Sequence, residues 1–444
     1  MRRTARPLLY VGVLAIVFGL GQAHATFIGH YAFTGSSRFA WTIVYAGILC
    51  VLAYGFGLPD AHRSRRAALG AAVGASFLGA LAMSLVQLFV GDSLLPRFVV
   101  FGAALLLPDW YRLCVSLAVG GRSRAEARDR VVVIGEADDV AALAVELHAA
   151  PERPASIVAH LTVEEATERS SGEHPLADLM AADPPTVIVL DRHAQEVPSI
   201  VAQVAVLHER GVRVRSMTGF YEEWLGKLPI AELERASLLF DIGEVHRAGY
   251  GRMKRIVDVP LALVGGVVLL VVVPFVLVAN LAGNRGPLLY RQDRIGKGGA
   301  TFRILKFRTM RPRATGELLN EWTTEDDPRI TTFGRVLRRT HLDELPQVVN
   351  ILKGDLAVVG PRPEQPAYVQ ELSGKLPFYP LRHLVRPGLT GWAQVKYGYA
   401  GSEADALEKL QYEFWYLRHQ NLRTDARIVG RTIRSITGGE GQGR

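Results

Sequence analysis

The chain has 444 residues, of which 49% are hydrophobic, and its formal net charge is +8. This length is enough for two or three domains. A mean hydropathy of +0.15 is high for a water-soluble enzyme and predicts membrane segments. In a membrane protein the positive charge reflects cytoplasmic loops and anionic head groups more often than nucleic acid, which we do not expect as a partner. Cys50 and Cys114 lack metal or redox spacing, which argues against a disulfide framework.

Four apolar runs fill the first quarter of the chain. They cover residues 7–25, 39–58, 67–91 and 97–119. Each has about 19 residues or more, the length that a helix needs to cross ~30 Å of hydrocarbon. The sequence therefore predicts a bundle of four transmembrane helices within residues 1–121.

The arginines between these runs alternate from one loop to the next. The rich segments contain Arg2, Arg3, Arg6, Arg63, Arg65, Arg66, Arg122, Arg124, Arg128 and Arg130. The other two loops have only Arg38 and Arg97 at their edges. The positive-inside rule then places both ends of the bundle in the cytoplasm. A cleaved secretory signal ending at Ala23-His24-Ala25 is the alternative, but the alternating arginines favour an uncleaved first span.

Residues 122–246 alternate between strand and helix patterns. Strands are predicted at 130–135, 156–161, 186–191 and 211–217, and helices at 138–149 and 197–210. This alternation indicates a Rossmann-like module with a doubly wound parallel sheet. After the first strand, Gly135 is followed by acids and not by the further glycines that let a backbone approach a pyrophosphate. We therefore expect docking or oligomerisation here and no dinucleotide cofactor.

The apolar run 256–282 is basic on both sides. Arg252, Lys254 and Arg255 precede it, and Arg285, Arg291, Arg294 and Lys297 follow it. A crossing helix is basic mainly on one side. We therefore predict a re-entrant helix over 252–282 that returns to the same face, with its break at Pro274. A plain fifth span is the alternative, and it would place everything after it outside the cell.

Basic residues recur after this helix in two distinct settings. Residues 301–310 alternate like a strand and include Lys306 and Arg308, whereas Arg362 stands between two prolines. Arginine binds phosphate oxygens bidentately, and flanking prolines limit the backbone freedom lost on binding. Attraction to anionic lipids explains any single cation equally well. For Arg362 in its Gly-Pro-Arg-Pro frame we favour phosphate binding.

Two adjacent acids, Asp343 and Glu344, fall in a stretch whose apolar residues recur at helical spacing from 327 to 350. On such a helix they would point about 100° apart. A carboxylate can act as a nucleophile or hold Mg²⁺. Ion pairs with Arg338 or Arg339 on a polar helix face are the alternative, and the pair alone is weak support for a site.

A series of motifs makes the C-terminal part more specific. The order is Lys-Arg-x-x-Asp, QDRIG, KFRTM, LDELPQ-x-x-N-x-L-x-GD, VGPRP and RPGLTGW. Over about 250–430 the chain closely resembles the bacterial sugar transferases, the monotopic polyprenyl-phosphate phosphoglycosyl transferases. With the upstream spans it is similar to the large form, as in undecaprenyl-phosphate galactose or glucose phosphotransferases. The resemblance implies an α+β catalytic domain at 247–444.

The resemblance also implies a reaction. A sugar-1-phosphate would pass from a UDP-sugar to undecaprenyl phosphate with Mg²⁺, starting exopolysaccharide or O-antigen-type glycan synthesis. The first acid would attack the β-phosphate, UMP would leave, and the lipid phosphate would displace the phosphosugar from the enzyme. The protein would be a multi-pass protein of the bacterial inner membrane with a cytoplasmic catalytic domain. Membrane lipids and a homodimer complete the expected partners.

Roles carry over only where the motifs match. Asp343 would be the nucleophile, while Glu344 would orient it, assist proton transfer and help Asp343 hold the metal. The phosphate or substrate contacts would come from Arg362, Lys306, Arg308, Arg294, Lys254 and Arg255. Asp258 and Pro274 match the aspartate and the break of the re-entrant helix. One departure is Val273, where some members place a serine before the proline.

Two other functions stay open at this point. A membrane-anchored nucleotide-sugar dehydratase or epimerase would need an intact glycine fingerprint and a Tyr-x-x-x-Lys pair. A non-enzymatic scaffold of polysaccharide assembly would need neither acid. The transferred sugar is not readable, because hexoses and N-acetylhexosamines differ by groups that no residue spacing reports.

Overall fold

The computed structural model describes residues 2–58, 65–90, 94–119, 129–149, 155–167, 176, 184–229, 246–283, 286–311, 327, 329–376, 378–397 and 403–438. The chain forms two compact units, one of residues 1–120 with 244–444 and one of residues 121–243. The predicted domain limits at 121 and 246 stay a prediction. Among the loop arginines, Arg63, Arg122, Arg124, Arg128 and Arg285 lie outside the described residues.

Four long helices open the chain: α1 (Arg2–His24), α2 (Ser37–Gly55), α3 (Arg65–Val90) and α4 (Arg97–Val119). They pack around an apolar core in which Tyr45 and Tyr111 are fully buried. Their outer faces expose large apolar side chains such as Phe77 and Leu105. Helices that are apolar all round suit a membrane. A π-helical turn (Ala25–Gly29) continues α1 through the Ala-His-Ala sequence.

The second unit contains the predicted parallel sheet. Its strands are β1 (Asp129–Ile134), β2 (Ala155–Leu161), β3 (Val187–Leu190) and β4 (Arg213–Ser216). The helices are α5 (Ala137–Ala149), α6 (Val163–Ala166), α7 (Arg192–Glu196), α8 (Pro198–Glu209) and α9 (Met217–Phe220). A π-helical turn (Tyr221–Leu225) follows α9. All pairs are parallel and the order is β2-β1-β3-β4, the flavodoxin-like order of doubly wound sheets.

The turn after β1 shows why a dinucleotide fits poorly there. A Cβ on Gly135 would lie 2.7 Å from the Asp191 carboxylate, so this glycine is needed for close packing inside the protein. Asp191 accepts a hydrogen bond from the Glu136 amide (3.2 Å) and another from the Ala194 amide (2.7 Å). In dinucleotide-binding sheets of this kind, the amides of this turn bind a phosphate. Here the Asp191 carboxylate lies beside the turn.

The apolar run after the sheet forms one 38-residue helix, α10 (His246–Gly283). It is assigned without interruption through Pro260 and Pro274, so the re-entrant path stays a prediction. Five helices of the described chain, α1–α4 and α10, are long and apolar enough to cross a membrane. The protein is thus a largely helical membrane α/β protein, as its composition indicates.

The remaining elements build a small α+β region. They are β5 (Leu289–Ile295), β6 (Thr301–Phe307), α11 (Thr332–Arg339), α12 (Val348–Lys353), β7 (Ala357–Val359), α13 (Pro366–Lys375), β8 (Gly388–Thr390), α14 (Trp392–Lys396), α15 (Glu403–His419) and α16 (Leu422–Gly438). β5 and β6 form an antiparallel hairpin, and β7 and β8 pair in parallel. Three 3₁₀ turns, Lys297–Gly299, Leu342–Gln347 and Tyr379–Leu384, connect these elements.

The last helix joins this region to the N-terminal helices. A Cβ on Gly430 of α16 would lie 2.1 Å from the carbonyl carbon of Gly55, so α16 and α2 meet backbone to backbone. Ile433 packs against the apolar core of α1–α4. On the other side of α16, the Thr432 and Thr390 hydroxyl oxygens lie 2.6 Å apart.

Candidate active site

The acid pair lies in a 3₁₀ turn, and the single helix predicted from 327 to 350 is wrong. α11 ends at Arg339, and His341 then adopts a left-handed φ of 55°. The 3₁₀ turn (Leu342–Gln347) leads directly into α12. Pro346 explains part of the change, because proline has no amide hydrogen and its ring obstructs the preceding helical turn. Successive side chains on a 3₁₀ turn point about 120° apart, so the two acids have different surroundings.

Apolar packing holds this turn against the membrane helix. Leu342 and Leu345 belong to a cluster that also includes Val272 and Val273 of α10. α10 and α12 also approach closely, because a Cβ on Gly265 would lie 2.8 Å from the Val348 side chain. The acids are therefore fixed beside the apolar helix.

Asn350 ties the same turn to β6. Its side-chain amide donates to the Arg303 carbonyl (2.8 Å), and its oxygen accepts from the Leu305 amide (3.1 Å). The side chain thus pairs with a strand edge as a neighbouring strand would. β6 carries Lys306, so this contact sets the distance between the lysine and the acids. Asn350 belongs to the LDELPQ-x-x-N motif, but the motif alone does not indicate this contact.

Glu344 is held by two cations. Its Oε1 lies 2.6 Å from Lys306 Nζ and 3.3 Å from Arg362 Nη2. Burial opposes ionisation, but Lys306 and Arg362 outweigh it and lower the pKa of Glu344 to about 2. The carboxylate is therefore ionised throughout the physiological range.

Asp343 has the opposite environment. Its exposure is only 9%. Burial raises the pKa of Asp343, with Glu344 adding to the effect and Lys306 opposing it. Within the described residues, no hydrogen bond or ion pair is found for its carboxylate. The pair therefore consists of one charged, anchored acid and one buried acid whose oxygens are available.

A buried network supports the loop that carries Arg362. Arg382 donates to the Arg362 carbonyl (2.9 Å) and to both carboxylate oxygens of Glu413 (2.6 and 2.7 Å). Its third partner is the Tyr379 hydroxyl, at 3.0 Å. The Arg362 side chain is 41% exposed, so it is accessible to a ligand. Sequence reasoning missed Arg382, because an arginine in a 3₁₀ turn and a glutamate on α15 carry no recognisable spacing.

Arg294 and Arg308 both lie against backbone groups of the protein. Arg294 donates to the Pro363 carbonyl (3.1 Å) and lies 3.6 Å from Glu364, so it braces the Arg362 loop. Burial lowers the pKa of Arg294. Arg308 lies against the chain just after α10, where a Cβ on Gly286 would come within 2.6 Å of its Nη1. Arg294 thus connects β5 with the loop of Arg362.

Lys254 and Arg255 form the basic pair before the apolar run of α10, and their contact with phosphate or substrate stays a prediction. Lys254 is buried and forms an ion pair with Asp425 and a 3.2 Å hydrogen bond to the Tyr416 hydroxyl. Arg255 donates to the Ile351 and Leu352 carbonyls. These carbonyls end α12, where a cation complements the helix dipole. Both side chains already have partners inside the protein.

Asp258 connects α10 to the strand that precedes Arg362. It is buried, and its carboxylate accepts a hydrogen bond from the Val358 amide at 3.2 Å. Pro274 lies inside α10 beside the cluster that holds the acid turn. Asp258 thus fixes β7, and with it the Pro-Arg-Pro loop, to the membrane helix.

The acids are a sparse set of metal ligands. Among the described residues, no group of three or more His, Cys, Asp or Glu side chains could hold a metal ion. Mg²⁺ is nonetheless commonly held by one or two carboxylates together with waters and substrate phosphates. Because Glu344 is neutralised by Lys306 and Arg362, the available donor is Asp343. The residues fit a Mg²⁺ ion whose other ligands come from water and the substrate.

The similarity to known proteins lies in the C-terminal part of the chain, which contains the acid pair. The family described as "Bacterial sugar transferase" matches residues 249–439. A UDP-N-acetylgalactosamine-undecaprenyl-phosphate N-acetylgalactosaminephosphotransferase of Aeromonas hydrophila is 44% identical over 156 residues, 35% of this chain and 37% of that protein. The chain thus spans well under half of this relative.

The chain covers a larger share of two further relatives. A UDP-glucose:undecaprenyl-phosphate glucose-1-phosphate transferase of Caulobacter vibrioides is 39% identical over 199 residues, 44% of this chain and 73% of the relative. An "Exopolysaccharide production protein PSS" of Rhizobium leguminosarum bv. phaseoli is 37% identical over 184 residues, 39% of this chain and 91% of the relative. The family match includes the acid turn, the Arg362 loop and nearly all of α10. The resemblance drawn from the motifs is thereby confirmed, and the chain belongs to the bacterial sugar transferase family.

Proposed function

We propose that the protein transfers a sugar-1-phosphate from a UDP-sugar to undecaprenyl phosphate at the cytoplasmic face of the bacterial inner membrane. The reaction would initiate exopolysaccharide or O-antigen-type glycan synthesis. The printed names of the relatives support this class of donor and acceptor. The observation that carries the proposal is the contrast within the acid pair, where Asp343 is buried without a partner among the described residues and Glu344 is anchored by Lys306 and Arg362.

In the first step, an Asp343 carboxylate oxygen forms a bond to the phosphorus that carries the sugar. The bond from that phosphorus to the bridging oxygen breaks, and its electron pair leaves with UMP. In the second step, an oxygen of undecaprenyl phosphate attacks the same phosphorus. The bond to Asp343 breaks, the carboxylate is regenerated, and undecaprenyl diphosphate-sugar is released.

The surrounding cations offset the repulsion between anions. The donor, the acceptor and Asp343 all carry negative charge. Lys306 and Arg362 pair with the neighbouring Glu344 and also act on Asp343 through their charge. A raised pKa also makes the ionised Asp343 carboxylate more basic than an ordinary aspartate, which favours attack. Arg382 acts as a positioning residue, because it holds the backbone of Arg362.

Mg²⁺ is part of the same proposal. Asp343 and substrate phosphate oxygens would hold the ion. Glu344 would become a further ligand once the substrate binds Lys306 and Arg362 in its place. A bound ion would supply positive charge to phosphate oxygens as negative charge builds up there. Titrating UMP release against a chelator and then against added Mg²⁺ checks this assignment.

The decisive experiment replaces Asp343→Asn, which keeps the size of the side chain and removes its nucleophilic oxygen. Membranes with the unsubstituted protein should transfer labelled sugar-phosphate from a UDP-sugar to undecaprenyl phosphate. The variant should lose transfer by at least about a thousandfold, the scale on which removal of a nucleophile acts. Asp138→Asn, which changes an exposed acid on α5 outside these motifs, is the matched control and should retain transfer. Undiminished transfer by the Asp343 variant would remove Asp343 from the reaction.

The same assay separates the alternatives. A scaffold would show no UMP release with any UDP-sugar in a panel that includes glucose, galactose and N-acetylhexosamines. A dehydratase or epimerase would need a nicotinamide cofactor. The Asp191 carboxylate beside the turn after β1 argues against such a cofactor in the parallel sheet.

A further inference from the structure

A small pocket lies apart from the acid pair, beside the first turns of α10. Its volume is about 160 Å³. The lining includes Gly251, Lys254, Lys297, Val359, Arg386 and Tyr416. Pockets that enclose whole drug-sized ligands measure about 300–1,000 Å³. This pocket is therefore too small for a nucleotide and suits a single compact group.

The pocket is positively charged. None of its nine described lining residues is acidic. Lys254 is neutralised by Asp425, which lies behind it. Lys297 and Arg386 differ, because within the described residues no hydrogen bond or ion pair is found for either side chain. Two cations thus converge on a cavity without a counter-charge in its lining, which favours an anion.

The position of the pocket indicates where the anion comes from. The apolar run that could cross a membrane covers Tyr250–Leu281, and Gly251 and Lys254 belong to its first turn. The pocket therefore lies at the end of the apolar run, where lipid phosphates are concentrated. Lys297 is exposed on a glycine-rich 3₁₀ turn and also lines the pocket, so it is accessible from outside.

We propose that this pocket binds the phosphate group of an anionic membrane lipid. Arg386 would donate to two phosphate oxygens and Lys297 would act as a compact charge. Lys254 and Tyr416 would form the floor. The site is distinct from the acid pair, and its occupancy does not depend on the proposed transfer reaction.

Binding to the purified full-length protein in a neutral detergent tests the proposal without any sugar donor. The probes are short-chain phosphatidic acid, the matching phosphatidylcholine and inorganic phosphate. We expect phosphatidic acid to bind more tightly than both. The double variant Lys297→Gln/Arg386→Gln should weaken this binding about a hundredfold, or tenfold for each lost charge-assisted contact. Lys353→Gln, which removes an exposed lysine at the end of α12, should leave it unchanged.

Two results would overturn the proposal. One is binding of phosphatidic acid by the double variant as tight as by the unsubstituted protein. The other is equal affinity for inorganic phosphate, which would assign the pocket to a free anion and not to a lipid.

A second measurement needs no substitution. Lys297 should react with an amine-modifying reagent in neutral detergent and become protected when phosphatidic acid is added, as read by mass spectrometry. Lys353 should react equally in both conditions. Unchanged labelling of Lys297 would also contradict the proposal, even where the double variant failed to fold.

Discussion

Two neighbouring carboxylates are expected to affect stability in opposite directions. Burial raises the pKa of Asp343, so the folded state favours its protonated form, and its contribution to stability is lost as pH rises through that pKa. At neutral pH the ionised side chain therefore destabilises the fold. We predict that Asp343→Asn increases the free energy of unfolding by about 1 kcal/mol while abolishing transfer.

Glu344→Gln should do the reverse. The pKa of Glu344 is lowered to about 2, so its contribution is present above the ordinary glutamate pKa and is lost only as pH falls toward 2. The substitution leaves the largely buried Lys306 without its ion pair. The substitution should lower the free energy of unfolding by about 2 kcal/mol, which is less than the loss of one partner costs in a fully buried ion pair. Thermal unfolding of both variants in one detergent checks the signs. Equal signs would contradict the assigned environments.

At the scale of elements, Asn350 should be as important to the acid turn as the turn's own residues. Asn350→Ala leaves the Leu305 amide and the Arg303 carbonyl without their side-chain partner. We predict a loss of about 2–3 kcal/mol in stability. We also predict a lower kcat with little change in KM for the donor, because Lys306 and Asp343 lose their fixed separation.

The control for that prediction is Asn421→Ala. Asn421 accepts from the Thr424 amide (2.8 Å) and caps α16 in an exposed position. Its loss should cost about 1 kcal/mol of stability without the same fall in kcat. If both asparagine variants reduced kcat alike, the positioning role of Asn350 would be refuted.

Local patterns predicted the regular elements well. The strands at 130–135, 156–161 and 186–191 and the helix at 138–149 lie within a residue or so of their predicted ends. The acid turn was missed, because apolar spacing of three and four fits both an α-helix and a helix interrupted by a 3₁₀ turn. Pro346 is a partial signal in the sequence, but the left-handed His341 and the contacts of Asn350 with β6 depend on tertiary packing.

At the scale of the larger unit, the contact between α16 and α2 joins the C-terminal region to the N-terminal helices. Gly430→Ala would place a Cβ 2.1 Å from the Gly55 backbone, which cannot move as a flexible side chain does. We predict that this substitution lowers the thermal midpoint by several degrees and reduces transfer. Gly374→Ala is the matched control, because nothing lies within 4 Å of its Cβ and alanine favours a helix. A harmless Gly430→Ala would show that this helix contact is dispensable.

The sequence contained little to predict this connection. Gly55 and Gly430 lie at opposite ends of the chain, and neither belongs to a motif that carries chemistry. The motifs identified Asp343, Glu344 and Arg362 because their chemistry needs particular residue types. Residues that position them, such as Arg382 and Asn350, depend on contacts that only the folded chain brings together.

The ion pairs of Glu344 have a consequence for the order of binding. Lys306 and Arg362 already hold an anion, the Glu344 carboxylate. In the proposed reaction Glu344 would therefore compete with the donor for these cations, and a donor pyrophosphate would have to displace the carboxylate from them. This competition would discourage tight binding of the resting donor and favour the species with the most charge on its phosphate oxygens, the one formed as the phosphoryl group moves.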